Sequence, residues 1–158
     1  MGFYGDHDRA LDCDRWHDFN HCFAHAYGDR AFESPAGVSE VVWVGQGSAK
    51  GRAIDGGYEF LLSEVTSQAR VYKQKLRDLL RLEMAVAPVE CEFDVAITIE
   101  LNPNFPAIDL DNVAKAVLDG IKGHVFFDDA QVMRLVVEKR WAEAERLLVK
   151  VEKRNVHR

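Results

Sequence analysis

Between residues 93 and 122 the chain changes its hydrophobic period, and this change constrains the fold more than any other feature. Phe93, Val95, Ile97 and Ile99 alternate with Asp94, Ala96, Thr98 and Glu100. That period of two marks a strand with one buried face. The segment from Asn102 to Pro106, with two prolines and two asparagines, breaks regular structure. From Asn112 to Lys122 the apolar residues Val113, Ala114, Val117, Leu118 and Ile121 share one face of a helix, and Gly123 stands as its C-terminal cap.

The flanks extend the pattern. Val41 to Val44 is a short apolar run ending at Gly45 and predicts a strand; residues 45–57 predict a glycine-rich loop; Tyr58 to Leu61 predicts a second short strand. Ser63 and Thr66 offer cap-type residues. Val65, Ala69, Tyr72, Leu76, Leu79 and Leu80 recur at helical spacing, so a helix of some twenty residues is expected from Ser63 to Ala87-Pro88. Val132 to Val137 and Leu147 to Val151 predict two further strands. The order β-β-α-β-α-β-β implies an α/β (α+β) sandwich, a small mixed sheet with two helices packed on one face.

A chain of 158 residues is the size of one domain and can bury roughly 68–70% of its unfolded surface. No apolar run approaches the ~20 residues that span a bilayer. The acidic first residues lack the apolar core of a signal peptide, so the expected compartment is the cytoplasm, with no membrane partner. Three cysteines at irregular spacing, Cys13, Cys22 and Cys91, argue for reduced thiols.

Charge and composition shift near residue 37. Residues 1–37 carry seven acids, three bases and four of the six histidines; their charge is −4 of the chain's −6, leaving −2 for the rest. The expected organisation is an acidic, His-rich N-terminal extension over 1–37 and a compact domain over 38–158. Within the extension, Cys13, His17, His21, Cys22 and His25 include His pairs at i, i+4, which is zinc-compatible spacing. They match no zinc motif, and a flexible or loosely helical extension is the preferred reading.

The stretch IDLDNVAKAVLDGIKGHVFFDDAQV, residues 108–132, carries the chemistry. In an extended segment Asp109 and Asp111, flanking Leu110, project their carboxylates the same way. Asp111 is also an N-cap candidate for the helix that follows, and Lys115 lies one turn above it. Asp128-Asp129 opens the next strand, and a short helix–loop return can bring it back beside the first two acids. Carboxylates so gathered repel one another and call for a cation. Mg²⁺ is the hard, oxygen-preferring choice, and one or two ions would serve phosphodiester hydrolysis. Taken singly, each feature has a structural reading: Asp111 a helix cap, Asp128-Asp129 a turn, Lys115 a solvated helix residue paired with Asp111 or Asp119. Trp43 and Trp141 could stack on bases, but their strand-like apolar context favours core packing.

Taken jointly, D-x-D-N, the Lys four residues after the second Asp, the Leu-Asp on the same helix and D-D-x-Q-V resemble the RusA family of Holliday junction resolvases. The resemblance covers about residues 41–152 and includes Lys50-Gly51-Arg52 in the early loop, Tyr72 and Lys73 on the long helix, and Lys139. It implies a Mg²⁺-dependent endonuclease that resolves branched DNA in recombination and repair as a homodimer. Asp109, Asp111 and Asp129 match its metal-binding acids and Lys115 its catalytic lysine. Lys50, Arg52, Lys73 and Lys139 are expected on the DNA side, with the 45–57 loop contacting DNA. The loop departs from the family pattern, reading GQGSA where a proline often follows the first glycine. Two other functions fit the same fold: a catalytically inactive DNA-binding module, and a metal-dependent nuclease without branch selectivity.

Overall fold

The computed structural model describes residues 42–155. The expected boundary at residue 37 and the Cys/His cluster of the extension lie outside them. Five strands form one mixed sheet in the order β1-β2-β5-β3-β4: β1 (Ala49–Ile54), β2 (Gly57–Leu62), β3 (Phe93–Leu101), β4 (Val132–Trp141) and β5 (Arg146–Lys153). Only β3 and β4 run parallel; every other pair is antiparallel. Helix α1 (Arg70–Asp78) continues into a π-helical turn over Leu79–Glu83, and α2 (Leu110–Ile121) is the crossover between the parallel pair. The expected architecture, a mixed sheet with two helices, is the one observed.

The alternation in β3 does what its period demands. Phe93, Val95, Ile97, Ile99 and Leu101 are buried toward the helices. They pack with Phe60 and Leu62 of β2, Leu147, Val149 and Val151 of β5, Tyr72 and Leu76 of α1, and Val113, Val117 and Ile121 of α2. The other face of the sheet is charged. Glu100, the only buried charged residue among those described, is held by Arg146 at 2.6 Å and Arg140 at 3.4 Å. Gly120 lets the two helices close on each other. A Cβ there would stand 3.1 Å from Leu76 Cβ and 3.2 Å from the Lys73 backbone.

Four local expectations are corrected. The first strand is Ala49–Ile54, inside the stretch expected to be a loop; it forms a hairpin with β2. Val44 makes only an isolated bridge to Gly51. The first helix begins at Arg70, because the Tyr72 hydroxyl donates to the Thr66 carbonyl at 2.6 Å and accepts from the Thr66 N–H at 2.7 Å, which pins the preceding segment as a loop. Trp141, expected in the core, is 73% exposed at the end of the edge strand β4, whereas Trp43 is half-buried with the Arg52 guanidinium 4.5 Å from its ring centroid. β4 extends four residues beyond the expected strand, and most of it is exposed.

Candidate active site

Asp109 is the N-cap of α2, with extended backbone (φ −86°, ψ 122°), and Asp111 lies in the first helical turn. The two acids therefore straddle a helix start; they do not share one extended strand. A carboxylate in a first turn is favoured by the positive end of the helix dipole. The Asp109 carboxylate accepts from Asn112 Nδ2 at 3.3 Å. Lys115, one turn on, is exposed.

The second acid segment is a single 3-10 turn, Asp129–Gln131, capped by Asp128. Asp128 accepts from the Ala130 N–H at 2.9 Å, and Lys122 Nζ stands 2.8 Å from Asp128 and 3.2 Å from Asp129. The Lys122 ammonium, with the Ala130 N–H behind it, holds the Asp128 carboxyl down to about 2. The two carboxylates push the Lys122 pKa up in return. Glycine at 123, with φ 80°, lets the chain turn out of α2 and place Lys122 against this segment.

Between α2 and β4 lies an open groove of about 560 Å³. Its polar wall is Asp111, Lys115, Asp119 and Asp129, over an apolar floor of Leu110, Ala114, Leu118, Leu135 and Val137. The crossover topology makes this groove: α2 returns the chain to lay β4 beside β3, so the start of the helix and the turn before β4 open onto one cleft. Three of the four residues expected to carry catalysis, Asp111, Asp129 and Lys115, line it. Asp109 stands at its helix-start end without lining it.

As a donor set these acids suit a hard divalent ion, since every ligand atom is a carboxylate oxygen. The expected crowding of three carboxylates is not met. Among the described residues no three His, Cys, Asp or Glu side chains converge closely enough to hold an ion, and Asp129 is turned onto Lys122.

Three of the four residues expected on the DNA side have protein partners. Arg52 pairs with Glu59 at 2.7 Å besides covering Trp43. Lys73 on α1 stands 3.5 Å from Asp119 on α2. Lys139 Nζ donates to the Ile108 carbonyl at 3.0 Å, fastening β4 to the residue before Asp109. Lys50 is exposed on the edge strand β1.

The sequence reading gave no role to two residues of this region. Lys122 carried no signal, because its pairing depends on the turn at Gly123. Gln131 did carry one: Asp128 followed three residues later by Gln131 is a capping box, and the structure forms it.

The sequence pattern of the endodeoxyribonuclease RusA family matches residues 57–152, from β2 to β5 and across both acid segments. No curated protein matches the chain. The match spans more than half of the chain and covers β2, β3, β4 and all of β5 but its last residue. With that pattern matched over more than half of its length, the chain belongs to the endodeoxyribonuclease RusA family.

Proposed function

We propose that this protein is a Mg²⁺-dependent, structure-selective DNA endonuclease that resolves Holliday junctions or related branches in recombination and repair. The observation that carries the proposal is the groove: Asp111, Asp129 and Lys115 line one open cleft in a chain of an endodeoxyribonuclease family. Asp111 and Asp129 on the groove, with Asp109 at its helix-start end, are the residues that would hold Mg²⁺, and doing so requires Asp129 to turn from Lys122. When bound, the ion would activate the attacking water and stabilise the leaving oxygen of a phosphodiester. Lys115, exposed on the groove wall, adds positive charge where the phosphoryl oxygens gain negative charge in the transition state. Lys139 holds the chain entering Asp109 by its bond to the Ile108 carbonyl. Lys73 pairs with Asp119 between the two helices. On this reading Lys50 meets backbone phosphate directly, whereas Arg52, Lys73 and Lys139 act mainly by shaping the surface.

The acting form is a homodimer. Two grooves related by a two-fold axis suit paired cuts on a two-fold symmetric junction. The exposed edge of β4, with Met133 51% and Leu135 42% exposed, is an edge strand of the kind proteins usually cover. The catalytic domain spans 38–158, with 1–37 as an extension.

The test is cleavage of a four-way junction and a linear duplex of the same sequence, each with Mg²⁺ and with chelator. The proposal requires Mg²⁺-dependent paired incisions in the junction and an intact duplex. Equal cutting of both substrates would make the protein a nuclease without branch selectivity. Junction binding with no cutting at any Mg²⁺ concentration would make it a DNA-binding module.

A further inference from the structure

Gln131 spends its whole hydrogen-bonding capacity on joining the turn that carries Asp129 to the lead-in of β3. Its Oε1 accepts from the Phe127 N–H at 2.8 Å and the Asp128 N–H at 3.1 Å. Its Nε2 donates to the Val89 carbonyl at 2.9 Å and the Cys91 carbonyl at 2.8 Å. A side-chain amide offers two donor hydrogens and an oxygen with two lone pairs, and all four are filled. The orientation of the amide is fixed by its partners, two N–H groups on one side and two carbonyls on the other. Val89 and Cys91 lie in the lead-in to β3, about forty residues away in sequence. That lead-in is bound to the core: the Val89 N–H donates to the Val125 carbonyl at 3.3 Å, and Cys91 is buried.

The turn itself is short and exposed. Asp128, Asp129 and Ala130 are all at the surface. Lys122, which grips both acids, is itself on the surface side. Gln131 therefore ties the Phe127–Asp128 backbone, immediately before Asp129, to the lead-in of β3. Opposite it, Asp111 is fixed by helix α2.

We infer that Gln131 is a positioning residue: it sets where Asp129 stands across the groove from Asp111, and so whether the two acids can serve one cation. The inference rests on the metal-binding reading proposed above. Neither leucine nor methionine can make any of the four bonds. Glutamate keeps the two acceptor bonds but turns an anion toward two carbonyl oxygens, so it breaks the tie to the β3 lead-in while preserving the turn's own bonds.

The experiment uses the full chain and Mn²⁺ alone as the probe. Mn²⁺ binding is measured by calorimetry for wild type, Asp129→Asn, Gln131→Met and Gln131→Glu, at a temperature where circular dichroism shows each protein folded. Amide exchange over Phe127–Ala130 and junction binding without divalent ion are measured alongside. Both Gln131 variants should bind Mn²⁺ at least tenfold more weakly, with junction binding within twofold of wild type, and Gln131→Met, which also loses the turn's own bonds, should exchange these amides faster. Should Gln131→Met fail to fold, Gln131→Glu carries the test. Faster exchange with Mn²⁺ affinity unchanged would reduce Gln131 to a stabilising residue and overturn the inference. Wild type binding Mn²⁺ no better than Asp129→Asn would instead overturn the metal-binding reading beneath it.

Discussion

Lys115→Ala separates a catalytic lysine from a solvated one, because its two expected effects differ in kind. Lys115 is exposed on α2, and alanine is a better helix former than lysine. The substitution removes no buried contact, so stability should change by less than ~0.5 kcal/mol. The groove carries three acids, Asp111, Asp119 and Asp129, around this one lysine. Removing its charge leaves the groove lining without a cation to face the phosphate. Loss of one preorganised charge stabiliser typically costs on the order of 10²–10³ in kcat, about 2.7–4 kcal/mol. The activation barrier should thus rise by several times the largest change expected in stability. Single-turnover cleavage of a four-way junction at saturating protein, with thermal unfolding in parallel, reads both quantities. Lys115→Arg keeps the charge but not the compact ammonium, so partial recovery is expected. Wild-type cleavage by Lys115→Ala would refute the role given to this side chain.

Three further predictions follow from other contacts. Gly120→Val drives new methyl groups against Leu76 and the Lys73 backbone, an overpacking cost of about 1–3 kcal/mol. Tm should fall by roughly 3–10 °C in a scanning measurement, and an unchanged Tm would mean that the helices are not in close contact there. The Asp128 carboxyl is held at about 2 in the folded chain, below its ordinary value of 3.8. Its contribution to stability is therefore complete above about pH 4 and lost as pH falls toward 2. Asp128→Asn should flatten the acid limb of stability measured by denaturant titration at pH 2 and pH 5, and an identical limb would contradict the Lys122 pairing. Lys50→Ala should lower the salt dependence of log K for junction binding by about one unit. Arg52→Ala should lower it less, because Arg52 is already paired with Glu59.

The sequence made the core of the fold legible where one periodicity governed one element. The alternation of residues 93–100 became β3, and the apolar stripe from Val113 to Ile121 became the buried face of α2. It misled where a residue type has two physical uses. Gly51 and Gly57 looked like loop glycines, yet both lie in strands. A side chain on Gly51 would meet Met84 and Phe60, and one on Gly57 would meet the Val151 carbonyl. Close approach and turn formation ask for the same residue. Ser63 and Thr66 looked like caps, but the partner that decides their fate is Tyr72, whose hydroxyl holds Thr66 in a loop. Trp141 looked buried because its strand is apolar; that strand is the sheet's edge, a property of topology that local composition does not carry.

The site divides in the same way. The spacing from Asp109 to Asp129 was legible, and the groove brings Asp111, Lys115 and Asp129 together. The grip of Lys122 on both acids of the turn, and the reach of Gln131 to Val89 and Cys91, join residues whose nearness only the folded chain reveals.

The central claim is that the acids of this groove cut DNA. Asp111→Asn and Asp129→Asn test it most directly, because asparagine preserves shape while removing the charge. The measurement is single-turnover cleavage of a four-way junction in Mg²⁺, with binding of the same junction measured on the same samples. Each variant should lose cleavage and bind the junction nearly as wild type does; full cleavage by either at moderate Mg²⁺ would contradict the claim.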